Sequence, residues 1–324
     1  MRTQLGLLPI YQAQQRIAPF VRRTPLLADA GLSARTGGHV WLKLECQQVT
    51  GSFKARGAVN KVGLLSEAEK ARGIVTGSAG NHGLGVALAA RAWGDVVADI
   101  FVPTTAPTTK VNRLQQMGIR LHQVGVTYED AHQAAEDYAR AHGATYIQAY
   151  DDVDVVAGQG TLGLEILTDL PDVDAVLVPI GGGGMIAGVA TAVKGINPTC
   201  RVIGVQPEAS PAALLSLRDG RPYDPYDHAP TIADGLAGGF GAVPFHLAAA
   251  LIDEVVLVSE AAMRHAIYDL LDRHQLVVEP SGAAAVAPLL SGQIDVAGRT
   301  VVCILSGGNI ATGLLRDILA EFAP

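Results

Sequence analysis

The chain alternates between short apolar runs and longer segments in which apolar residues recur with helical spacing. The apolar runs predict strands at Val40–Leu44, Ile74–Thr76, Val97–Val102, Arg120–Val124, Thr145–Gln148, Ala175–Ile180, Arg201–Val205, Val255–Val258 and Thr300–Leu305. The segments between them predict helices that include Gly83–Trp93, Thr109–Met117, Tyr128–His142, Leu162–Leu170 and Met185–Lys194. This alternation is typical of parallel sheets covered by helices, so the pattern predicts an α/β fold.

The composition permits a large buried core and excludes several classes of function. Apolar residues make up 49% of the 324 residues, and only 17% are charged. The net charge of -7 gives no reason to expect nucleic acid, because phosphate contacts need clustered Lys and Arg. Cys46, Cys200 and Cys303 lack paired spacing, so we expect neither a disulfide framework nor a zinc site.

The chain also lacks signals for export or membrane insertion. Residues 1–15 form a poor signal peptide, because Gln and Pro follow their short apolar stretch closely. No uninterrupted apolar run is long enough to span a bilayer. We therefore expect a cytoplasmic protein that does not bind membranes.

Four loops rich in glycine and small polar residues follow the apolar runs. They are TGSFKARG (50–57), GSAGNHG (77–83), IGGGGMIAG (180–188) and LSGGN (305–309). Open α/β sheets bind ligands at the carboxyl ends of their strands, so chemistry is expected in these loops. A further stretch, RDGRPYDPYDHAP (218–230), is rich in turn residues and predicts a loop or lid rather than a domain boundary.

The run Gly181–Gly184 precedes an apolar helical pattern. Bare backbone N–H groups at a helix N-terminus are typical of an anion site. A tight turn for helix–sheet packing is the alternative, but four glycines in a row carry a large entropic cost for a turn. No Lys or Ser/Thr pair follows, so a nucleoside triphosphatase is not predicted.

A literal GxGxxG occurs at Gly158–Gly163, but its context does not fit a dinucleotide-binding fold. The segment before it is a poor buried strand. About 20 residues later, where an acid would bind the ribose, the sequence reads Val178-Pro179-Ile180. We therefore expect no dinucleotide at this motif.

Lys54 lies between Phe53 and Ala55 at a predicted strand-to-helix junction. This setting favours a lysine that loses its proton, because desolvation lowers the pKa of an amine. A surface lysine with a packed stem is the alternative. A phosphate site, a candidate neutral lysine and the lack of a nucleotide signature together suggest pyridoxal 5'-phosphate, whose chemistry uses a lysine imine.

Six segments, in order along the chain, resemble the fold-type II pyridoxal-phosphate enzymes of the serine/threonine dehydratase and serine racemase family. They are KLECQQVTGSFKARGA, SAGNHGLGVA, AGQGTLGLEI, PIGGGGMIAG, VVEPSGA and LSGGN. The resemblance covers nearly the whole chain from about residue 15. It implies a fold like that of the tryptophan synthase β subunit, with two open, twisted, mostly parallel sheets flanked by helices.

The resemblance also implies the organisation of the molecule. A large cofactor-binding domain is expected from residues 1–69 and 152–324, and a small domain from residues 70–151. No C-terminal regulatory domain is expected after the last helical pattern. Assembly into a homodimer or homotetramer is implied as well.

The same resemblance implies roles for particular residues. Lys54 would bind the cofactor covalently beside Phe53, Asn81 would contact the ring hydroxyl, and Ser306 would hydrogen-bond the pyridine nitrogen. The cofactor phosphate would be held by the backbone of Gly181, Gly182, Gly183, Gly184 and Met185. Substrate would be bound by Ser78, Ala79, Gly80, Asn81, His82, Gly235 and Glu279. Asn81 could also cap a helix, His82 could fill a turn, and Glu279 could be a charge at a helix N-terminus.

The neutral partner of the pyridine nitrogen bears on the reaction. A hydroxyl at Ser306 would leave the pyridine largely unprotonated, which favours prompt loss of a β-substituent. We therefore expect β-elimination of L-threonine or L-serine to 2-oxobutanoate or pyruvate plus ammonia. The alternatives are dehydration of a phenylserine-like, hydroxyaspartate-like or ectoine-pathway substrate, racemisation, β-replacement, and a non-catalytic binding protein.

Many relatives in this family bind a divalent cation after the strand that follows the glycine loop. This chain has Gln206 and Ala212 where two of the carboxylates would lie. Magnesium and calcium need anionic oxygen ligands, so no divalent metal site is expected. A monovalent ion bound by backbone carbonyls stays open.

Ala79 leads to a prediction about stereochemistry. Relatives that racemise serine carry a second serine at this position, which serves as the base on the opposite face, and alanine has no proton to exchange. We predict that L-serine gives pyruvate with negligible D-serine, measured by chiral chromatography of the reaction mixture. Formation of D-serine at a rate that rivals pyruvate formation would contradict the prediction.

Overall fold

Two separate sheets organise the protein in a computed structural model that describes residues 5–322. Residues 1–4, the start of the segment that forms a poor signal peptide, lie outside this range. The strands are β1 (Leu26–Asp29), β2 (His39–Lys43), β3 (Ile74–Gly77), β4 (Ala98–Val102), β5 (Arg120–Gln123), β6 (Thr145–Tyr146), β7 (Ala175–Pro179), β8 (Arg201–Pro207), β9 (Glu254–Val258) and β10 (Thr300–Ile304).

Helices cover both sheets. They are α1 (Leu7–Ile17), α2 (Ala30–Thr36), α3 (Lys54–Leu64), α4 (Glu67–Arg72), α5 (Asn81–Ala92), α6 (Thr108–Gln115), α7 (Tyr128–His142), α8 (Val153–Asp169), α9 (Gly184–Ile196), α10 (Ala212–Asp219), α11 (Ala242–Ala248), α12 (Glu260–His274), α13 (Pro280–Ala283), α14 (Ala287–Leu290) and α15 (Thr312–Phe322). Among residues 5–322, no helix combines the length and apolar character needed to cross a bilayer.

The larger sheet has the strand order β1-β2-β10-β7-β8-β9, and the smaller sheet has the order β5-β4-β3-β6. Every pairing is parallel except that of β1 with β2. The predicted α/β class with two mostly parallel sheets is therefore confirmed. The predicted domain boundaries stay a prediction, and the four strands of the smaller sheet lie between residues 70 and 151.

The nine predicted strands all form, with ends shifted by two residues at most. Strand β1 escaped prediction because it is a four-residue edge strand whose burial does not alternate. Helix α8 begins at Val153, well before the predicted start at Leu162, because Asp152 accepts hydrogen bonds from the backbone N–H groups of Asp154 and Val155 and caps the helix.

The GxGxxG segment lies inside α8 and serves helix packing. A Cβ atom added at Gly158 would lie 2.7 Å from the carbonyl oxygen of Arg56 in α3. One added at Gly160 would lie 2.9 Å from the carbonyl oxygen of Gly188 in α9. These glycines let α3 and α9 approach the backbone of α8 closely. The segment is therefore part of a helix rather than a nucleotide-binding turn.

A buried group of four charges joins α3 to β2 and α8. The Arg56 guanidinium contacts Glu45 at 2.8 Å and Glu165 at 2.7 Å, and the Lys43 amine contacts Glu165 at 2.6 Å. All four side chains are buried, and their formal charges sum to zero. Removing one partner of such a pair leaves an uncompensated buried charge, which costs roughly 3–5 kcal/mol. The group therefore fixes the first turn of α3, where Lys54 lies.

Candidate active site

The loop before α3 and the loop after β10 are hydrogen-bonded side by side. The backbone N–H of Phe53 donates to the carbonyl oxygen of Ser306 at 3.1 Å. The N–H of Gly308 donates to the carbonyl oxygen of Gly51 at 2.9 Å. Lys54 is the first residue of α3, so these bonds bring two of the sequence-predicted residues, Lys54 and Ser306, together.

The Lys54 amine has few polar neighbours. It donates to the carbonyl oxygen of Ala149 at 2.9 Å and lies 5.2 Å from the centre of the Phe53 ring. Although the side chain is only half-buried, desolvation lowers the pKa of Lys54 to about 8, against the opposing attraction of Glu279. The positive end of the α3 backbone dipole also disfavours a charged amine. Lys54 therefore reaches its neutral form much closer to physiological pH than an ordinary lysine does.

The glycine run turns sharply into α9. Gly183 has a φ of 91° and is the N-cap of α9, a conformation that L side chains rarely adopt. A Cβ atom at Gly182 would lie 2.2 Å from the Tyr150 ring, and one at Gly183 would lie 2.3 Å from Phe240. The sequence must therefore have glycine here for the loop to fit between these rings.

The glycine run has donors to offer an anion. Within residues 5–322, the backbone N–H groups of residues 181–185 make no hydrogen bond to the rest of the protein. Free N–H groups at the start of a helix suit a phosphate. A phosphate site, a lysine amine that is readily neutral and a buried hydroxyl at Ser306 together fit pyridoxal phosphate, so the residues present are compatible with this cofactor.

Ser306 is buried at the end of β10. Its hydroxyl donates to the carbonyl oxygen of Ser281 at 3.2 Å. The hydroxyl of Ser281 in turn accepts from the N–H of Gly235 at 3.1 Å. A hydroxyl has one donor and two acceptor positions and rotates freely, so Ser306 can exchange its present partner for a ring nitrogen.

Gly235 lies against the glycine run. A Cβ atom at Gly181 would lie 2.5 Å from the carbonyl oxygen of Gly235. Through Gly235, the segment 233–241 therefore contacts both Ser281, the hydrogen-bond partner of Ser306, and the glycine run.

The loop from Ser78 to His82 leads into α5. Ser78, Ala79 and Gly80 are half-buried, and the Ser78 hydroxyl accepts from the N–H of Gly80 at 3.3 Å. His82 is buried, and its Nε2 is 2.9 Å from the carbonyl oxygen of Ile147. Because a carbonyl only accepts, Nε2 carries the proton. Burial lowers the pKa of His82 to about 3, so the imidazole is neutral.

The capping role expected for Asn81 is wrong. Gly80 is the N-cap of α5, and no side chain caps this helix. The Asn81 amide instead donates to Glu279 Oε1 at 2.6 Å and accepts from the Asn309 amide at 2.6 Å. The Glu279 side chain is likewise directed at Asn81 and makes no capping hydrogen bond to α13, which begins at the next residue. Burial raises the pKa of Glu279 to about 7.

Sequence reasoning missed Tyr150 and Asp224. The Tyr150 ring packs on Gly182, and its hydroxyl donates to Asp224 Oδ2 at 3.0 Å. Asp224 belongs to the stretch predicted as a loop or lid, which is a loop apart from residues 218 and 219 at the end of α10. Tyr150 follows the carboxyl end of β6, where ligands of α/β proteins bind, so its place near the site could have been predicted. Nothing in the sequence indicates its contact with Asp224.

Gln206 occupies the region where many relatives have a cation site. Its side-chain oxygen accepts from the N–H groups of Ala213 at 3.0 Å and Leu214 at 3.2 Å. Its amide nitrogen donates to the carbonyl oxygen of Ile180 at 3.4 Å. The buried glutamine thus connects the start of α10 to the residue that precedes the glycine run. Within residues 5–322, no three His, Cys, Asp or Glu side chains are grouped for a metal ion.

Comparisons with known proteins show the family of the chain. Residues 17–307 match the family described as pyridoxal-phosphate dependent enzyme. The chain is 43% identical over 311 residues to an L-threonine ammonia-lyase of Thermotoga maritima, which covers 96% of this chain and 77% of that protein.

Solved structures are similar over almost the full length. The processed form of threonine deaminase isoform 2 from Solanum lycopersicum has a TM-score of 0.91 at 34% identity, with 100% of this chain and 96% of that chain covered. Maize serine racemase has a TM-score of 0.90 at 33% identity, with 98% and 97% covered. The chain therefore resembles both lyases and a racemase in fold, and the site residues must distinguish them.

The contacts of Gln206 generate a prediction about metal dependence. The Gln206 side chain is a neutral amide that makes these three hydrogen bonds and offers no anionic oxygen to a divalent cation. Removal of metal ions with EDTA should therefore leave both the activity and the melting temperature unchanged. The Gln206→Leu variant leaves these backbone groups without partners and should lose roughly 1–3 kcal/mol of unfolding free energy in urea. Gln15→Leu, at an exposed glutamine of α1, is the matched control. Inactivation by EDTA that magnesium reverses would contradict the prediction.

Proposed function

Because the chain belongs to the family of pyridoxal-phosphate dependent enzymes, we propose that it converts L-threonine and L-serine to 2-oxobutanoate and pyruvate, with release of ammonia. The observation that carries the proposal is the pairing of the Lys54 loop with the loop of Ser306. It puts a readily neutral amine and a neutral hydroxyl at one site. The name of the Thermotoga relative supports the same reaction.

The cofactor would be held by residues at three corners of the site. Lys54 would bind it covalently, residues 181–185 would bind its phosphate through backbone N–H groups, and the Ser306 hydroxyl would donate to the unprotonated ring nitrogen. When bound, pyridoxal phosphate withdraws electrons from Cα of the amino acid, which acidifies the Cα proton and allows the β-hydroxyl to leave.

Lys54 would act as the general base. With substrate bound, its amine would be free to take the Cα proton, and a base works best when its pKa lies near the operating pH. Desolvation brings the pKa of Lys54 to about 8, so the amine can accept the Cα proton near neutral pH. A solvent-exposed lysine, whose pKa is 10.5, would be protonated there almost completely.

Ser306 would determine what happens after the proton leaves. A carboxylate in its place would keep the ring nitrogen charged and stabilise a long-lived carbanion. The neutral hydroxyl does not, so prompt loss of the β-hydroxyl is favoured over transamination. The overall change is the conversion of a hydroxy amino acid to a 2-oxo acid and ammonia, with no net oxidation.

The loop from Ser78 to Asn81 would bind the substrate carboxylate. It lies at the start of α5, where backbone N–H groups favour an anion. Glu279, adjacent to Asn81, has a pKa raised to about 7 by burial. It can therefore hold a proton at neutral pH, which limits repulsion of the carboxylate.

Several parts of the proposal extend beyond the reaction. A small domain from residues 70–151, a homodimer or homotetramer and a cytoplasmic location stay predictions. His82 is included among the substrate-binding residues through its position in the loop, although its Nε2 is occupied by Ile147.

A coupled assay for 2-oxo acid tests the proposal. The wild-type holoenzyme should form 2-oxo acid from L-threonine or L-serine alone, whereas a β-replacement enzyme needs an added thiol and a binding protein forms none. Lys54→Ala should reduce kcat by at least roughly 100-fold, because the general base is lost. Lys70→Ala, at a lysine of α4 that pairs with exposed Glu67, is the control. Full activity of Lys54→Ala would sink the proposed mechanism.

A further inference from the structure

A chain of side-chain amides and charges lies behind Asn81. Asn309 Nδ2 donates to Asn81 Oδ1 at 2.6 Å and to the carbonyl oxygen of Thr50 at 2.9 Å. Arg113 Nη1 donates to Asn309 Oδ1 at 2.6 Å. At the other end, Asn81 Nδ2 donates to Glu279 Oε1 at 2.6 Å. We propose that Asn309 is the positioning residue that fixes the orientation of the Asn81 amide, and that Arg113 fixes Asn309 in turn.

The proposal rests on the proposed function, in which Asn81 contacts the ring hydroxyl of the cofactor. What Asn81 offers there depends on which way its amide points, because one side of the amide only accepts and the other only donates. With Oδ1 held by Asn309 and one Nδ2 hydrogen held by Glu279, the second Nδ2 hydrogen is the donor that remains. The arrangement therefore presents a donor to the ligand.

The orientation of Asn309 follows from its neighbours. Arg113 can only donate, and the Thr50 carbonyl can only accept. A flipped Asn309 amide would direct its nitrogen at the guanidinium and its oxygen at the carbonyl, and both hydrogen bonds would be lost. The oxygen of Asn309 therefore faces Arg113, and its nitrogen faces Thr50 and Asn81.

Two glycines make room for this chain of contacts. Gly51 has a φ of 77°, and a Cβ atom there would lie 2.4 Å from Asn309 Oδ1. A Cβ atom at Gly307 would lie 2.1 Å from Glu279 Oε1. A side chain at either position would displace the amide or the carboxylate, so glycine at both positions leaves these groups where they are.

Arg113 also connects the two sheets. It lies on α6, which packs beside the smaller sheet, whereas Asn309 follows β10 of the larger sheet. A second contact from α6 is made by Lys110, one helical turn earlier, whose amine lies 2.9 Å from the Asp234 carboxylate. Both contacts hold α6 against loops that flank the larger sheet, but of the two only that of Arg113 is joined to Asn81 through hydrogen bonds, whereas Lys110 acts on Glu279 through its charge alone. The position of α6 is thereby coupled to the orientation of a cofactor-binding side chain.

The test compares five variants by titrating apoprotein with pyridoxal phosphate and following the absorption of the bound cofactor. Asn309→Asp keeps the volume of the side chain and an oxygen that accepts from Arg113. It has no N–H with which to donate to Asn81 or Thr50. It should weaken cofactor binding roughly tenfold, as expected for loss of a hydrogen bond in a charged network. Arg113→Gln should weaken binding roughly threefold, because the guanidinium is exposed. Lys110→Gln removes the same charge from α6 and should leave the dissociation constant within about twofold of wild type.

The last two variants, Asn309→Ala alone and Asn309→Ala combined with Arg113→Gln, test whether Arg113 acts through Asn309. If it does, the double variant should bind no more weakly than Asn309→Ala alone. Asn309→Asp should also raise the pH at which the bound cofactor changes its visible absorption, because a fixed donor favours a deprotonated hydroxyl. A purely structural role would lower the melting temperature of the apoprotein without moving this pH.

Three results would overturn the inference while wild type binds the cofactor and forms 2-oxo acid. The first is that Asn309→Asp binds the cofactor as tightly as wild type and changes its absorption at the same pH. The second is that the effects of Arg113→Gln and Asn309→Ala on the dissociation constant are additive. The third is that Lys110→Gln weakens binding as much as Arg113→Gln does. Failure of wild type to bind the cofactor would instead overturn the proposed function together with the inference.

Discussion

A lysine amine that loses its proton near pH 8, well below the ordinary range of lysine, is the constraint on which the site depends. Lys54 begins α3, and its amine donates to the carbonyl oxygen of Ala149 and lies 5.2 Å from the centre of the Phe53 ring. Desolvation lowers its pKa to about 8. A charged amine would repel the cationic amino group of the substrate and could not accept a proton. The surrounding residues desolvate this one nitrogen, and the attraction of Glu279 only partly opposes the effect.

The molecule separates the charges that fix the structure from the groups that react. Directly behind Lys54, Arg56 and Lys43 join two carboxylates in a neutral, buried group that anchors α3 to β2 and α8. In front of it, the groups are amides, hydroxyls and backbone N–H, together with Glu279, whose pKa burial raises to about 7. The anchor resists movement of the helix, and the weakly charged front of the site leaves the pKa of Lys54 low.

Sequence periodicity predicted the sheets and the four loops because each of these features is local. The start of α8 was missed because the Asp152 cap outweighed the glycines that follow it, and these serve helix packing instead of a turn. Contacts such as Arg113 with Asn309, 196 positions apart, were beyond local patterns. They depend on how two sheets sit against each other, and only the three-dimensional structure reveals that relation.

The most direct test of the central claim is the pH dependence of covalent capture at Lys54. Apoprotein would be mixed with pyridoxal phosphate across a pH series, reduced with borohydride, digested, and the modified peptide identified by its mass. We predict that the peptide bearing Lys54 carries the added mass and that the rate of capture reaches half its maximum near pH 8, in line with a pKa of about 8. A midpoint near the ordinary lysine value of 10.5, or modification at other lysines with Lys54 untouched, would contradict this prediction.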